Sequence, residues 1–370
     1  MRKGWEYKKL GDCTQILDSQ RKPVTKRDRK SGIYPYYGAT GIQDYVDKYI
    51  FDGRYVLVGE DGAKWSSFTQ SAFIIEGKTW VNNHAHVLRT NDFLVDSFLV
   101  YFLNYSDLDN YISGAIIRKL TQASLRNIDI PLPPKSTQLA IVSELDKINE
   151  LIRLKKEQLK DFDNLAQSLF YEMFGDPVEN EKGWEVKKLG EIAKSAIGLT
   201  YKPENVTEEL SGIVVLRSSN IQNSILDFND IVRVNVLVKE DKMVNDGDIL
   251  MCSRNGSFRL VGKVALIKGL KERMSYGAFM TIIRSPYNPY LFEYFKTPAF
   301  RQYLITGKTT TVNQITVKML NNLTLPLPPL SLQRLFAQRI EQIEREKSEV
   351  QKSIQDLEIL LASRMQYWFE

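Results

Sequence analysis

The chain has 370 residues, 43% hydrophobic and 26% charged, with a formal net charge of +5. That length exceeds one compact core and suits two or three domains, while the mild basicity suits a nucleic-acid partner without demanding one. Two distant cysteines, Cys13 and Cys252, exclude a disulfide scaffold and a zinc ribbon; with no signal-peptide core and no apolar run near the ~18 residues of a membrane span, a cytoplasmic protein is expected.

The first element is Gly4-Trp5-Glu6-Tyr7-Lys8-Lys9-Leu10-Gly11, and seven of its eight positions return in Gly183-Trp184-Glu185-Val186-Lys187-Lys188-Leu189-Gly190. Short strands and turns follow. Tyr34 to Gly41 is aromatic and turn-rich, and Arg54 to Gly59 reads as a strand entering the turn Glu60-Asp61-Gly62. Asn127-Ile128-Asp129-Ile130-Pro131-Leu132-Pro133-Pro134 then returns as Asn322-Leu323-Thr324-Leu325-Pro326-Leu327-Pro328-Pro329, and Gln138 and Gln333 stand four residues beyond. Two separate matches in one order mark a duplication.

After each proline string the pattern becomes helical. Ile141, Leu145, Ile148, Ile152, Leu159 and Phe162 fall on a heptad stripe, and Phe336, Ile340, Ile343, Val350, Ile354 and Leu357 keep the same register. Lys155 and Lys347 interrupt the stripes, a device that fixes register and partner choice. Pro134 and Pro329 cannot lie within a helix, Ser136 or Ser331 is expected to cap the first turn, and Gly175-Asp176-Pro177 stops the first helix. Each helix is then about 37 residues, roughly 55 Å long. A seam of that length needs a partner, and the chain supplies one in the other helix. A pseudo-two-fold relation between the copies makes the pair antiparallel; a coiled coil between separate chains is the alternative.

The second interior segment repeats the strand-and-turn style, with Asp246 to Ser257 as turn, strand and polar loop and Val261 to Ile267 as another strand. The two interiors scarcely resemble each other, as expected of one scaffold serving two targets. Their loops carry side chains that read bases and hold phosphates. The candidates are Tyr37, Thr40, Lys64, Trp65, His84, Arg118, Lys119 and Gln122 in the first, and Arg217, Ser218, Asn220, Arg254, Asn255, Arg259, Lys308, Asn313 and Gln314 in the second. His84 and His86 invite a metal reading, but no carboxylate or cysteine cluster accompanies them in the sequence, so no metal site is expected.

Signs of catalysis are absent. Asn288-Pro289-Tyr290 is a degenerate form of an adenine-methyltransferase motif, and no glycine-rich loop follows a strand to hold S-adenosylmethionine or ATP. Neither a catalytic residue nor a cofactor is expected. A methyltransferase built on Asn288 remains the competing function, and a coiled-coil scaffold without a DNA role the plainer one.

The paired Gly-Trp-Glu-x-Lys-Lys-Leu-Gly openings, the two Pro-Leu-Pro-Pro strings with their glutamines, and the heptad helix after each together resemble the specificity subunits of type I restriction-modification systems. The resemblance spans essentially the whole chain. It implies an α+β molecule: two α/β target-recognition domains, residues 1–135 and 176–330, separated by two long antiparallel helices, residues 136–175 and 331–370, that form an intramolecular coiled coil in a pseudo-two-fold tandem repeat. It implies that each domain reads one half of a bipartite, gapped site in double-stranded DNA, with the helices as spacer. The partners implied are modification (methyltransferase) subunits and restriction (translocase/nuclease) subunits, which carry the chemistry.

Overall fold

The computed structural model describes residues 5–114, 117–306 and 313–370. It forms two compact units, Met1–Gln158 with Val350–Glu370, and Leu159–Glu349.

In the first unit the opening motif becomes strand β1 (Glu6–Lys9). Strands β2 (Thr14–Ile16), β3 (Ser31–Gly38), β4 (Gly41–Val46), β5 (Phe51–Gly59), β6 (Ala72–Val81) and β7 (Ala85–Thr90) follow, and the proline string becomes β8 (Asp129–Leu132). β2 to β7 form one sheet in the order β2-β7-β5-β6-β3-β4. β5 is central and its last five residues are all buried, which explains its unbroken apolar run: a strand covered on both faces has no polar face to alternate with. One face of the sheet packs with Leu10, Phe98, Leu99 and Ile130; the other holds a smaller core of Leu17, Phe51, Leu57 and Val87.

In the second unit the strands are β9 (Glu185–Lys188), β10 (Lys194–Ile197), β11 (Ile213–Leu216), β12 (Arg233–Val234), β13 (Ile249–Cys252), β14 (Val264–Leu266), β15 (Met274–Tyr276), β16 (Met280–Arg284) and β17 (Thr324–Leu327). Apart from β9 and β17, they build two sheets, β10-β16-β13-β14 and one that contains β12-β11-β15. The topology matches the first unit once β14 and β15 are taken as the two halves of β6. β6 pairs antiparallel with β5 over most of its length and parallel with β3 at Trp80 and Val81. β14 likewise pairs antiparallel with β13, and β15 parallel with β11. The break between them contains Gly269 at φ 65°, a left-handed conformation that glycine adopts without strain.

The two repeated motifs are each other's partners. β1 pairs antiparallel with β8 in the register Glu6↔Leu132 to Lys9↔Asp129, and β9 pairs with β17 in the matching register Glu185↔Leu327 to Lys188↔Thr324. A clasp of this kind ties the first and last strands of each repeat together, which is why both motifs repeat while the loops between them differ.

Two 40-residue helices, Lys135–Phe174 and Leu330–Phe369, follow the clasps. Each begins directly after its proline, whose carbonyl accepts from the Thr137 and Gln138 amides in one copy and the Leu332 and Gln333 amides in the other. This corrects the expected caps, since Ser136 and Ser331 stand inside the first turn. The glutamines account for the remaining identity. Gln138 is fully buried and its amide donates to Pro133 O and Phe93 O while its oxygen accepts from Val95 N. Gln333 Nε2 donates to Pro328 O at 2.7 Å. The first helix ends at Gly175, φ 78°, as its sequence predicts.

Within each unit the helix segments run antiparallel. In the first, Lys156 Nζ meets Glu358 at 2.8 Å, and Arg364 and Trp368 both donate to Glu144. In the second, Lys347 Nζ meets Asp163 at 2.7 Å, and Phe174 packs on Phe336 with ring centroids 4.9 Å apart. Burial would lower the pKa of Lys347, but Asp163 and Glu344 outweigh it and raise that pKa above the ordinary range. The heptad stripe therefore keeps its basic interior residue by supplying it with carboxylates.

Of the stripe residues, Ile141, Leu145, Ile148, Ile152, Phe336, Ile343, Val350 and Ile354 are buried, and Leu159, Phe162, Ile340 and Leu357 are partly so. The ends of the stripes do more than pair helices. Ile141 and Leu145 belong to the first unit's core beside Leu10, Phe98 and Met365. Phe336 and Ile343 belong to the second unit's core beside Tyr290 and Leu325.

Candidate nucleic-acid interface

In the first unit four loops converge beyond the end of β5. Asn82 N donates to Tyr37 O at 3.0 Å, Glu60 N to His84 O at 2.8 Å and Leu120 N to Glu60 O at 2.8 Å, and Asp61 forms a β-bridge with Lys119. Gly59 permits the crowding, because a Cβ there would stand 2.3 Å from Ala63 Cβ. Four loops of the second unit meet through the same bonds. Gly277 N donates to Leu216 O at 2.9 Å, Ser253 N to Phe279 O at 2.9 Å and Ile315 N to Ser253 O at 2.7 Å, with a bridge between Arg254 and Gln314. These bonds match the two units residue by residue: Glu60 with Ser253, Asp61 with Arg254, His84 with Phe279, His86 with Thr281, Lys119 with Gln314. The β2–β7 and β10–β16 registers add Asp18 with Ile197.

The frame is shared and the side chains are not. In the first unit Glu60 is 7% exposed and Asp18 lies nearby. Arg21 reaches Glu60 at 2.5 Å and Asp18 at 3.3 Å, and Lys119 Nζ reaches Glu60 at 2.6 Å. His86, fully buried, sets Nδ1 2.6 Å from Asp18 and Nε2 2.8 Å from Leu120 O. Burial pushes both carboxyls up, but the hydrogen bond from His86 to Asp18 and those from Lys119 and Arg21 to Glu60 prevail, leaving both pKa values below the usual carboxylate range. In the second unit the corresponding Ile197, Ser253 and Thr281 carry no charge, and Ser253 Oγ simply donates to Phe279 O.

The expectation that no carboxylates accompany the histidines is corrected for His86. Asp18 and Glu60 bring their oxygens within 4.8 Å of its ring nitrogen, across sequence distances that no local pattern reveals. These three are the residues that could ligate a metal among those described. Arg21 and Lys119 already compensate the two carboxylates, so the charge balance calls for no added cation.

The sequence candidates divide by location. Thr40, Lys64, His84, Arg118 and Lys119 lie on the convergent loops of the first unit, and Gln122 opens the short helix that follows. His84 Nδ1 is 2.5 Å from Asp61, Arg118 pairs with Asp109 at 2.7 Å, and Gln122 donates to Asp18 at 3.1 Å. Lys64 and Arg118 also line a 440 Å³ hollow with Trp65, Ser66 and Asp109. One candidate needs correction. Trp65 is 4% exposed, with its Nε1 donating to Gly59 O, so it builds the loop rather than projecting from it, because an aromatic ring next to a strand end gains more by burial than by exposure. Tyr37, at the end of β3, is half-buried, 6.0 Å from Phe73, its hydroxyl pKa raised by burial.

In the second unit Arg217, Ser218, Arg254, Asn255, Asn313 and Gln314 come together. Asn255 donates to Ser218 Oγ at 3.2 Å, Asn313 to Gly256 O at 2.9 Å, and Arg217 to Asp230 at 2.7 Å. Arg254 lies over Phe279, 5.1 Å from the ring centroid, and Phe279 is 57% exposed. Sequence reasoning missed Phe279; an aromatic two residues after Gly277 was the available signal. Asn220 is the correction here. It is 1% exposed and spends its amide on Asp227 O and Asp230 O, so it shapes the Arg217 loop and cannot reach a base. Arg259 is exposed in a short turn, and Lys308 lies outside the described residues.

Asn288-Pro289-Tyr290 has no catalytic geometry. The Asn288 amide is committed to Gly247 O and Ile283 O, and Tyr290 is fully buried, stacked on Phe170 and bonded to Pro326 O.

Comparison with known proteins agrees with this duplicated plan. A family described as "Type I restriction modification DNA specificity domain" matches residues 2–161 and again 181–358. A putative type I restriction enzyme specificity subunit of Haemophilus influenzae is 41% identical over 146 residues, 40% of this chain and 38% of that protein. The MjaVIII specificity subunit of Methanocaldococcus jannaschii is 23% identical over 94% of this chain and 90% of its own length. For the EcoKI specificity subunit of Escherichia coli the figures are 25%, 72% and 62%. The crystal structure of a type I S subunit from M. genitalium covers 100% of this chain and 98% of its own, with a TM-score of 0.56 at 14% identity. A chain from a study of type I complex assembly gives 0.61 at 19%, with the same coverage. At those identities the likeness concerns the fold.

Proposed function

This chain belongs to the family of type I restriction-modification DNA specificity domains, and from that membership we propose that each unit reads one half of a bipartite, gapped DNA site through its four convergent loops. The observation that supports this most directly is the pairing of identical main-chain bonds with different side chains at the loop ends. A common frame fixes where a base edge would sit, and side-chain chemistry decides which base is accepted.

The chain acts as a non-catalytic adaptor. The modification subunits supply methyl transfer, the restriction subunits supply translocation and cleavage, and the long helices serve both as spacer and as the framework of assembly. Its exposed Lys64, Arg118 and Arg259 fit phosphate contacts, which orient a protein on the duplex without reading sequence. No helix among the described residues is long and apolar enough to cross a membrane, which suits a cytoplasmic site of action.

The test is the methylation pattern written by the chain together with its modification subunits. A gapped motif with a methylatable adenine in each half is expected; a continuous motif, or none, would overturn the proposal. Calorimetry of the isolated chain with S-adenosylmethionine separates the adaptor from a methyltransferase: no heat of binding is expected, and saturable binding would favour the enzyme.

A further inference from the structure

We propose that Lys119 and its register partner Gln314 set the base preference of their respective units, and that Glu60 is a positioning residue for Lys119. This rests on the reading of the convergent loops as the DNA-facing ends.

Lys119 and Gln314 occupy one backbone position. Each forms the β-bridge to the second residue of the loop after the central strand, Asp61 or Arg254, and in each the next amide, Leu120 or Ile315, donates to the residue before that one. A side chain whose main chain is pinned at two adjacent points has its origin fixed. Base choice then follows from its own donors and acceptors.

Those donors differ. A lysine ammonium has three N–H groups, and Lys119 gives one to Glu60 Oε1 at 2.6 Å, with its side chain 42% exposed. The other two have no partner among the described residues. Two converging donors suit the O6 and N7 acceptors of guanine. Gln314 is half-buried and its side chain has no partner among the described residues. Its amide can present an N–H donor beside a carbonyl acceptor, the complement of adenine N7 and N6. The first unit is thereby assigned a guanine at this contact and the second an adenine.

Glu60 explains why lysine works there. A free lysine side chain is a flexible point charge that discriminates poorly. Glu60 is nearly buried and is itself fixed by Arg21 through its other oxygen at 2.5 Å, so it holds the ammonium in one place. In the second unit Ser253 replaces Glu60, and the neutral Gln314 has no charge to be held. The acid and the lysine occur together in one unit and are both missing from the other.

The experiment uses the full chain assembled with its modification subunits and reads the methylated motif on randomised DNA. Lys119→Gln should change the preferred base at one position of one half-site, by roughly tenfold or more in relative methylation, and leave the other half-site intact. Gln314→Lys should do the same in the other half. Unchanged motifs in both variants would overturn the assignment. For Glu60, the single variants Glu60→Gln and Lys119→Met are compared with the double variant. If Glu60 acts through Lys119, Glu60→Gln relaxes discrimination alone and adds nothing in the Lys119→Met background. An equal further loss in that background would reduce Glu60 to a structural role. Should the wild-type assembly write no gapped motif, the underlying DNA reading fails; a normal wild-type motif that the variants leave untouched defeats the base assignment alone.

Discussion

The two units solve the same folding problem with different interiors, and the contrast is sharpest just beneath their loops. The first keeps Asp18, Glu60 and His86 under its loops, with Arg21 and Lys119 to balance them. At the matching positions the second has Ile197, Ser253 and Thr281, and the Thr281 hydroxyl finds no partner among the described residues. Above these layers the contact between the second and third loops persists in altered chemistry: Asp61 meets His84 as an ion pair or hydrogen bond, and Arg254 meets Phe279 as a cation over a ring. Main-chain geometry is thus the conserved quantity between the copies, and charge is the variable one. A scaffold with that property can change what it reads without changing how it folds.

The largest test of this comparison lies at the clasp ends. Phe336 and Ile141 hold equivalent places at the start of the two heptad stripes, and both are fully buried. Phe336 packs among Phe170 and Phe174, at centroid distances of 6.0 and 4.9 Å. Phe336→Ala should cost about 3–5 kcal/mol and Ile141→Ala about 2–5 kcal/mol, measured by denaturant unfolding of each variant. A smaller loss at Phe336 than at Ile141 would mean that the aromatic cluster collapses into the cavity, and that the second unit is the more plastic of the two.

The repeated glutamines give the next effect. Gln138 satisfies three groups, Phe93 O, Pro133 O and Val95 N, whereas among the described residues the Gln333 side chain has one bond and its Oε1 has no partner. Removing Gln138 strands buried polar groups, at about 1–3 kcal/mol for each. Gln138→Leu should therefore destabilise more than Gln333→Leu. Equal losses would show that the shared identity serves the helix start alone.

Much of this architecture was legible in the sequence. The duplicated motifs announced two copies because each half of a clasp needs its mate in register, and the heptad stripe announced the helices because a seam leaves a period. The loop chemistry was legible only in part. Trp65 and Asn220 have the residue types that contact DNA, yet burial, which no local pattern encodes, assigns them to the frame. Asp18 and His86 are separated by 68 residues and joined by the pairing of β2 with β7. That strand order was hidden because the interiors share topology without sharing residues.

Acid offers a finer probe. Asp18 and Glu60 have folded-state pKa values below their ordinary ones, so their contribution to stability is complete above the usual carboxylate range and disappears as pH falls through the lowered values. Below about pH 4, the Glu60 and Leu120 amides, bonded to His84 O and Glu60 O, should lose protection after correction for intrinsic exchange. The matching Ser253 and Ile315 amides, bonded to Phe279 O and Ser253 O, should keep theirs. Glu60→Gln should reduce the difference. Parallel loss in both loops would indicate global unfolding and remove the buried network as the cause.

The smallest effect separates holding DNA from reading it. Lys64 in the first unit and Arg259 in the second are exposed on their loops, and neither has a side-chain partner among the described residues. Neither sits on a matched β-bridge, so neither has the fixed origin that base discrimination requires. If they contact phosphates, Lys64→Ala and Arg259→Ala should each weaken binding by a similar factor on every sequence and lower the salt dependence by about 0.9 in log–log slope. The methylated motif should remain as it was. A motif change in Lys64→Ala without one in Arg259→Ala would mean that the first unit reads bases through more of its charged loop residues than Lys119 alone, and that the asymmetry between the units extends from the buried layer out to the surface.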